Sequence, residues 1–180
     1  MPRGSAPRSP PGPAATDAER ALLTQAAALH LPDIPAEVPG GSASALLPIL
    51  HHIQDALGFV PPALVPEIAA TLSLSRAEVH GVLTYYHHFR SAPAGRHVVQ
   101  ICQAEACRAN GAEALMAHAS ARLACAPGHT RADGAVTLEP VYCLGLCATG
   151  PAAMVDDQLR ARVSDALVDA WATHFEATPP

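Results

Sequence analysis

The sequence predicts an α/β domain preceded by a small N-terminal helical bundle. Three observations lead to this fold class. Apolar residues recur at helical spacing over 44–92, a β-rich run then ends at Cys102, and strands alternate with helices from there onward. With 180 residues, the chain can form one compact domain with a helical extension, but not two large domains. We therefore expect a disordered or linker segment with at most a short helix over 1–43, the helical bundle over 44–92 and the α/β domain over 96–176.

Composition and charge exclude several kinds of partner. The chain has 11 Lys plus Arg against 16 Asp plus Glu, a formal charge of −5, and no segment in which basic residues cluster. We therefore expect no binding to nucleic acid. No run of about 18 apolar residues occurs, so we expect no membrane insertion, and the stretch 1–13 lacks the apolar core of a secretory signal. These features predict a cytoplasmic protein whose five cysteines stay reduced unless a metal or cluster binds them.

The N-terminal region is divided by prolines and glycines. Residues 1 to about 15 are expected to be disordered, because prolines, serines and arginines dominate the segment. A first helix is predicted from Thr16, as its N-cap, to His30. The prolines and glycines over 32–41 then break the chain and predict a linker.

Three helices are predicted for the bundle. In the first, over 44–57, apolar residues recur at three- and four-residue spacing, and Gly58 ends the helix. The second covers 61–72. The third begins with a capping box, in which Ser75 and Glu78 each satisfy a free backbone N–H at the other's position. Its apolar face is predicted to contain Val79, Val82, Leu83 and Tyr86.

Two strands are predicted to lead into cysteines. The β-rich run 98–101 ends directly on Cys102, and a helix over 111–125 follows it. An Asp-Gly turn then begins a second strand around 135–139, which leads to Cys143. Both cysteine-bearing loops are therefore expected to follow strands.

The C-terminal part is predicted to be a hairpin and a helix. The hairpin covers 153–163 around the turn Asp156-Asp157, and Ser164 is the expected N-cap of the last helix. The apolar face of that helix contains Leu167, Val168, Trp171 and Phe175. The complete order of elements fits a thioredoxin-like α/β layer, with helices packed on a small mixed sheet.

The cysteines form two close pairs. Four residues separate Cys102 from Cys107, and three separate Cys143 from Cys147. A 2Fe-2S cluster contains two irons that each need two thiolates from the protein, so two loops with a cysteine pair each satisfy it. We predict one 2Fe-2S cluster on these four residues. Small residues in and after the loops favour close approach of the backbone to the sulfurs: Ala104, Ala106, Gly145 and Gly150.

Paired cysteines also occur in sites of other kinds. A structural zinc site uses such pairs, usually with two-residue spacers, and would make the chain a zinc-stabilised interaction module. This alternative stays open. A thiol oxidoreductase would need a C-x-x-C motif, and the plant-type ferredoxin spacing needs three cysteines in one loop, but neither pattern occurs. The fifth cysteine, Cys125, is interpreted as a packing residue.

Histidines and aromatic residues in the helical region suggest two further sites. The pairs His51-His52 and His87-His88, with His80, lack the spacing of a known metal motif, so we interpret them as surface or interface residues. Tyr85, Tyr86 and Phe89 are interpreted as core residues rather than as a stacking surface for a flavin.

Several short stretches resemble a known family over residues 44–175. They are Leu47-Pro-Ile-Leu50 with Gln54 and Gly58, Arg76-Ala-Glu-Val-His-Gly81 followed by Tyr85-Tyr86, and Cys143-Leu-Gly-Leu-Cys147 with the first cysteine pair. Together they resemble the thioredoxin-like 2Fe-2S subunit family of NADH-linked complexes, which occurs in complex I, in NAD-linked NiFe hydrogenases and in NAD-dependent molybdenum formate dehydrogenases. The resemblance implies an electron-transfer subunit that performs no bond chemistry, so we assign no catalytic residue.

Three further stretches resemble one particular member of this family. Tyr86-His-His-Phe-Arg90, Gly95-Arg-His-Val-Val-Gln100 and Thr137-Leu-Glu-Pro-Val-Tyr-Cys143 look most like the gamma subunit of soluble formate dehydrogenase. This implies a partner subunit that binds FMN and NAD, and a large catalytic subunit with a molybdenum cofactor. The equivalent subunit of complex I or of a hydrogenase is the alternative.

Overall fold

A computed structural model of the protein describes residues 14–31 and 41–177. The expectations for residues 1–13 and for most of the linker lie outside the described residues. The chain divides into two compact units, residues 1–93 and 94–180.

Unit 1 is helical. Its elements are α1 (Asp17–His30), a 3₁₀ turn (Gly41–Ala45), α2 (Leu46–Leu57), a second 3₁₀ turn (Pro62–Leu64), α3 (Val65–Thr71) and α4 (Arg76–Tyr85). Helix α1 begins with a capping box between Thr16 and Glu19 and ends at the predicted His30. It packs against α2 and places Leu23 and Ala26 in the core. Helix α1 therefore has the start and end predicted from the sequence, and its buried residues belong to the core of unit 1.

The bundle core follows the predicted periodicity. Ile49, Leu50 and Ile53 of α2 are fully buried, and Gly58 ends the helix in the left-handed region at φ 80°. A buried amide then joins α2 to the chain after α4. The Nε2 of Gln54 donates to the His88 carbonyl at 2.8 Å, and its Oε1 accepts from the Arg90 N–H at 2.8 Å.

The prediction for two tyrosines was wrong. Tyr85 and Tyr86 are 76% and 44% exposed, whereas Phe89 is buried as expected. The capping box at Ser75 and the buried Val79 place the start of α4 correctly, but the helix ends at Tyr85. Tyr86 is the C-cap and has extended backbone geometry, so its side chain leaves the apolar face of the helix.

Unit 2 contains a five-stranded mixed sheet. Its elements are β1 (His97–Cys102), α5 (Glu105–Ala109), α6 (Ala112–Leu123), β2 (His129–Thr130), β3 (Val136–Val141), a 3₁₀ turn (Cys147–Thr149), β4 (Ala153–Val155), β5 (Gln158–Arg160) and α7 (Asp165–Ala177). The strand order is β2-β3-β1-β4-β5. Strands β1 and β3 are parallel, and the other neighbours are antiparallel. The mixed sheet with its preceding helices confirms the predicted fold class.

The sheet packs against α6 and α7. Val99, Ile101 and Leu138 from the two central strands are fully buried, with Leu123 from α6 and Val168 from α7 in the same cluster. The last helix begins directly after Ser164, and its predicted apolar face lies in this core. Cys125 is also buried here, where its thiol donates to the His129 carbonyl at 3.2 Å, as expected of a packing residue.

Gly95, two residues before β1, lies against the backbone of the neighbouring strand β3. A Cβ added at Gly95 would lie 2.8–2.9 Å from the backbone of Val136. The N–H of Gly95 donates to the Thr137 hydroxyl at 2.7 Å, so the chain already contacts β3 before β1 begins. A larger residue would separate these two strands at their start.

Two short elements were not predicted. Helix α5 has five residues and strand β2 has two, and neither length produces a recognisable periodicity. The hairpin of β4 and β5 was predicted, and its turn residues Asp156 and Asp157 have φ of 47° and 63°. Among the described residues, no helix has both the length and the apolar character to cross a membrane.

Candidate metal centre

The first cysteine pair lies at the end of β1. Cys102 is the last residue of the strand, and its N–H donates to the Ala152 carbonyl at 2.9 Å. Cys107 lies in α5, which turns the chain back so that both thiols belong to one small buried cluster with Ala112 and Ala152. Cys102 and Cys107 are 1% and 2% exposed.

The second pair lies on the loop after β3. Cys143 has φ 87° and Gly145 has φ 77°, so the chain turns sharply between the strand and the 3₁₀ turn that begins at Cys147. This turn brings the two sulfur atoms to 3.8 Å from each other. Both cysteines are exposed, in contrast to the first pair.

Parallel pairing brings the two loops to the same edge of the sheet. Cys102 is the register partner of Val141, so β1 and β3 end side by side. Both cysteine-bearing loops leave the strands in the same direction. The four cysteines singled out by sequence therefore converge, and Cys125 lies apart from them in the sheet core.

Backbone donors surround the sulfur of Cys102. Burial acts to raise the pKa of this thiol, but a hydrogen bond from the Ala104 N–H and one from the Cys107 side chain oppose it. The N–H groups of Cys143 and Leu144 on the other loop also donate to the sulfur. The net effect lowers the pKa of Cys102 and so stabilises its thiolate.

The pKa values of two neighbouring thiols, Cys107 and Cys147, are raised. Burial, the hydrogen bond with Cys102 and the negative charges of Cys102 and Cys147 raise the pKa of Cys107, although the Ala152 N–H opposes them. For Cys147, the hydrogen bond with Cys143 and then the charge of Cys143 raise the pKa. Four adjacent thiols therefore resist joint ionisation, and positively charged iron would relieve the repulsion among their thiolates.

The donor set fits a binuclear iron–sulfur cluster. Thiolates are its usual protein ligands, and backbone N–H groups directed at them are the usual surrounding interactions. Within the ranges 14–31 and 41–177, no three His, Cys, Asp or Glu side chains lie close enough together to hold one metal ion. A cluster with two irons does not require such convergence, because each iron takes only two ligands from the protein.

Gly150 was predicted to allow close approach of the backbone to the cysteine sulfurs. The sulfur next to it belongs to Cys107, in the first pair. A Cβ added there would lie 3.3 Å from the Cys107 sulfur and 3.5 Å from the Cys107 Cα. Gly150 comes three residues after Cys147 in the sequence, but its lack of a side chain leaves space for Cys107. Sequence spacing alone could not indicate this contact.

The surroundings of the second pair are apolar and partly exposed. Leu144 and Leu146 are partly buried against the first pair, and the adjacent Tyr142 is 73% exposed. Sequence reasoning named Ala104 as a place of close backbone approach to the sulfurs, and its N–H donates to Cys102. It did not single out the backbone donors at Leu144 and Ala152, because a backbone N–H has no residue signature.

The histidines of unit 1 form ring contacts. His51 lies 5.3 Å from His88 and 4.9 Å from Phe89 between ring centroids, and His30 lies 5.9 Å from His52. His51, His80 and His88 are exposed. These positions agree with the interpretation of surface residues.

A thioredoxin-like sheet with two cysteine pairs at one edge defines a class, the small α/β iron–sulfur proteins. Within that class, the family described as thioredoxin-like [2Fe-2S] ferredoxin matches residues 32–175, and the chain belongs to this family. Membership implies one 2Fe-2S cluster.

Several curated relatives are subunits of NADH-quinone oxidoreductases. The one from Rhizobium meliloti is 34% identical over 153 residues, which cover 85% of this chain and 86% of the relative. The one from Pseudomonas aeruginosa is 36% identical, with 63% of this chain and 69% of the relative covered. The one from Thermus thermophilus is 32% identical, and the match covers 67% of this chain and 66% of the relative.

A solved structure has the same fold. A chain of the NAD⁺-reducing [NiFe]-hydrogenase in the H₂-reduced state superposes with a TM-score of 0.62 and 27% sequence identity. The match covers 75% of this chain and 22% of the hydrogenase chain. This protein therefore corresponds to a small part of that larger chain.

The contact at Gly150 gives a first prediction. In Gly150→Ala, the new methyl group would displace Cys107 by a few tenths of an ångström, at a cost of about 1–3 kcal/mol. We expect the reconstituted cluster to be lost roughly fivefold or more faster in a chelator, as measured by the decay of its visible absorbance. Gly81→Ala is the control, because a Cβ there meets nothing within 4 Å. Equal decay rates for wild type and both variants would contradict the steric role of this position.

Proposed function

We propose that Cys102, Cys107, Cys143 and Cys147 hold one 2Fe-2S cluster and that the chain is an electron-transfer subunit of an NAD-linked oxidoreductase complex. Such a cluster supplies transfer of one electron at a time and makes or breaks no substrate bond. The chain's own part is to hold the cluster and dock beside a subunit that binds FMN and NAD. The proposal includes a cytoplasmic location, where free thiols remain available for iron.

The observation that carries the proposal is the contrast between the two pairs. One pair is almost fully buried and anchors the centre in the sheet, while the other is exposed within an apolar loop beside Tyr142. A centre held in this way is rigid on one side and accessible on the other. Rigidity limits reorganisation around the metal, and access permits close approach of a partner.

The ligand assignment can be tested by matched cysteine variants. Cys143→Ser is expected to lose or distort the cluster, because it removes a thiolate from an exposed pair without opening the core. Cys125→Ser is expected to keep it, because that thiol lies in the sheet core and donates to a carbonyl instead. The measurement is iron and acid-labile sulfide per chain after anaerobic reconstitution, with the EPR spectrum of the reduced protein.

Equal loss in both variants would show that the fifth cysteine was assigned wrongly. Zinc bound by the wild type without sulfide would instead support the zinc-stabilised interaction module. Colour separates these two cases at once, since an iron–sulfur protein is brown and a zinc protein is colourless.

We further propose NAD-dependent formate dehydrogenase as the parent complex. The support is the resemblance of three stretches to its gamma subunit, residues 86–90, 95–100 and 137–143. The residues 95–100 and 137–143 include most of β1 and β3, so this resemblance involves the strands that lead to the cysteines. The complex would couple oxidation of formate to CO₂ with reduction of NAD⁺, and its FMN, NAD and molybdenum sites would lie in partner subunits.

Purification of the complex through a tag on this chain would identify the parent complex. We expect FMN and molybdenum to copurify, and formate to reduce NAD⁺ in the preparation, because those cofactors would belong to partners of this subunit. The measurements are metal analysis, flavin fluorescence and NADH formation. Nickel with H₂-dependent NAD⁺ reduction, or quinone reduction by NADH, would contradict formate dehydrogenase and identify a hydrogenase or complex I.

A further inference from the structure

Gln103 joins three parts of the metal centre, two through its side-chain amide and one through its backbone N–H. Gln103 directly follows Cys102, and its Nε2 donates to the Ala112 carbonyl at 3.0 Å and to the Cys102 carbonyl at 3.3 Å. Its backbone N–H donates to the Val141 carbonyl at 2.7 Å. This residue therefore connects the end of β1 to the beginning of α6 and to the end of β3.

These contacts lie next to the donors of the second loop. Val141 comes two residues before Cys143, and the N–H groups of Cys143 and Leu144 donate to the sulfur of Cys102. The backbone hydrogen bond from Gln103 to Val141 therefore lies beside the donors that the second loop directs at the sulfur of Cys102. A displacement of Gln103 would move the sulfur of Cys102 relative to these donors.

The surroundings make this amide hard to replace. Gln103 is partly buried, and Ala112 is fully buried in the small cluster that contains Cys102 and Cys107. Loss of the amide would remove the hydrogen bond between the residue after Cys102 and the start of α6, so the end of β1 could move relative to that helix. The hydrogen-bond partners of the side chain are carbonyls and not sulfurs, so we expect it to act through the position of Cys102.

We propose that Gln103 is a positioning residue of the metal centre, which holds Cys102 against the backbone donors of the second loop. The proposal rests on the proposed cluster. Backbone donors to a ligating sulfur set the properties of an iron–sulfur cluster, so this amide influences its spectrum and its lifetime without ligating it.

The test compares two glutamine variants of the full chain. Gln103→Met keeps the length of the side chain and removes its donors. Gln100→Met is the matched control, since Gln100 is also partly buried on β1 but donates to Glu139 at 2.8 Å on the neighbouring strand. The measurements on each reconstituted protein are iron and sulfide content, reduction potential, EPR g-values and the half-life of the visible absorbance in a chelator.

We expect Gln103→Met to bind the cluster but to lose it about tenfold faster than wild type, with changed g-values and potential. Gln100→Met is expected to keep the wild-type half-life and spectrum. Wild-type values for Gln103→Met, or equal changes in both variants, would overturn the positioning role.

A shorter amide keeps the proposal testable if Gln103→Met does not fold. Gln103→Asn retains the amide but cannot reach Ala112, so it is expected to change half-life and g-values in the same direction by a smaller factor. If neither variant folds, the residue is a requirement of the fold and the proposal fails. Absence of iron and sulfide from the wild type would refute the proposed function, which is a different outcome from a cluster that is insensitive to Gln103.

Discussion

Parallel pairing of β1 with β3 is the interaction on which the metal centre depends. The two strands run together from His97 and Val136 to Cys102 and Val141. Parallel strands place their carboxyl ends at the same edge, so loops far apart in sequence begin side by side. An antiparallel pairing of these strands would put the two cysteine pairs at opposite edges of the sheet. The chain between the strands, with α5 and α6, is the crossover that such pairing requires.

The electrostatics of the centre follow from this convergence. Neighbouring thiolates repel one another, so the pKa of Cys102 is lowered while those of Cys107 and Cys147 are raised. Backbone donors lower the pKa of Cys102, while burial and the neighbouring thiolates raise that of Cys107. Most of the compensating donors belong to the backbone, whose positions the sheet and the tight turns determine. The fold therefore stabilises negative charge at this edge without a basic side chain among those donors, and iron would supply the positive charge.

Much of the fold could be predicted from the sequence, because long elements have strong periodicity and clear ends. The capping box at Ser75, the stop at Gly58 and the Asp156-Asp157 turn are local signals, and all three lie where expected. Tyr86 was misplaced, because helical periodicity was extended one residue past the end of α4. Helix α5 was missed because it has only five residues.

The site could be predicted in part for a similar reason. The spacing of the cysteines indicated two pairs, and the chemistry of two irons required such pairs. The contacts of Gly150 with Cys107 and of Gln103 with Ala112 depend on how the loops fold over each other, and no local pattern encodes them. Close backbone approach was expected at Ala104, but the donors at Leu144 and Ala152 were not singled out, since any residue can supply an N–H. Sequence therefore identified the candidate ligands, and the structure showed which residues surround them.

The most direct test of the proposed cluster is the stoichiometry of iron and acid-labile sulfide in the anaerobically reconstituted full chain. We expect about two irons and two sulfides per chain, with a single-spin EPR signal after one-electron reduction. A colourless protein that binds zinc and contains no sulfide would contradict the cluster and the electron-transfer role together.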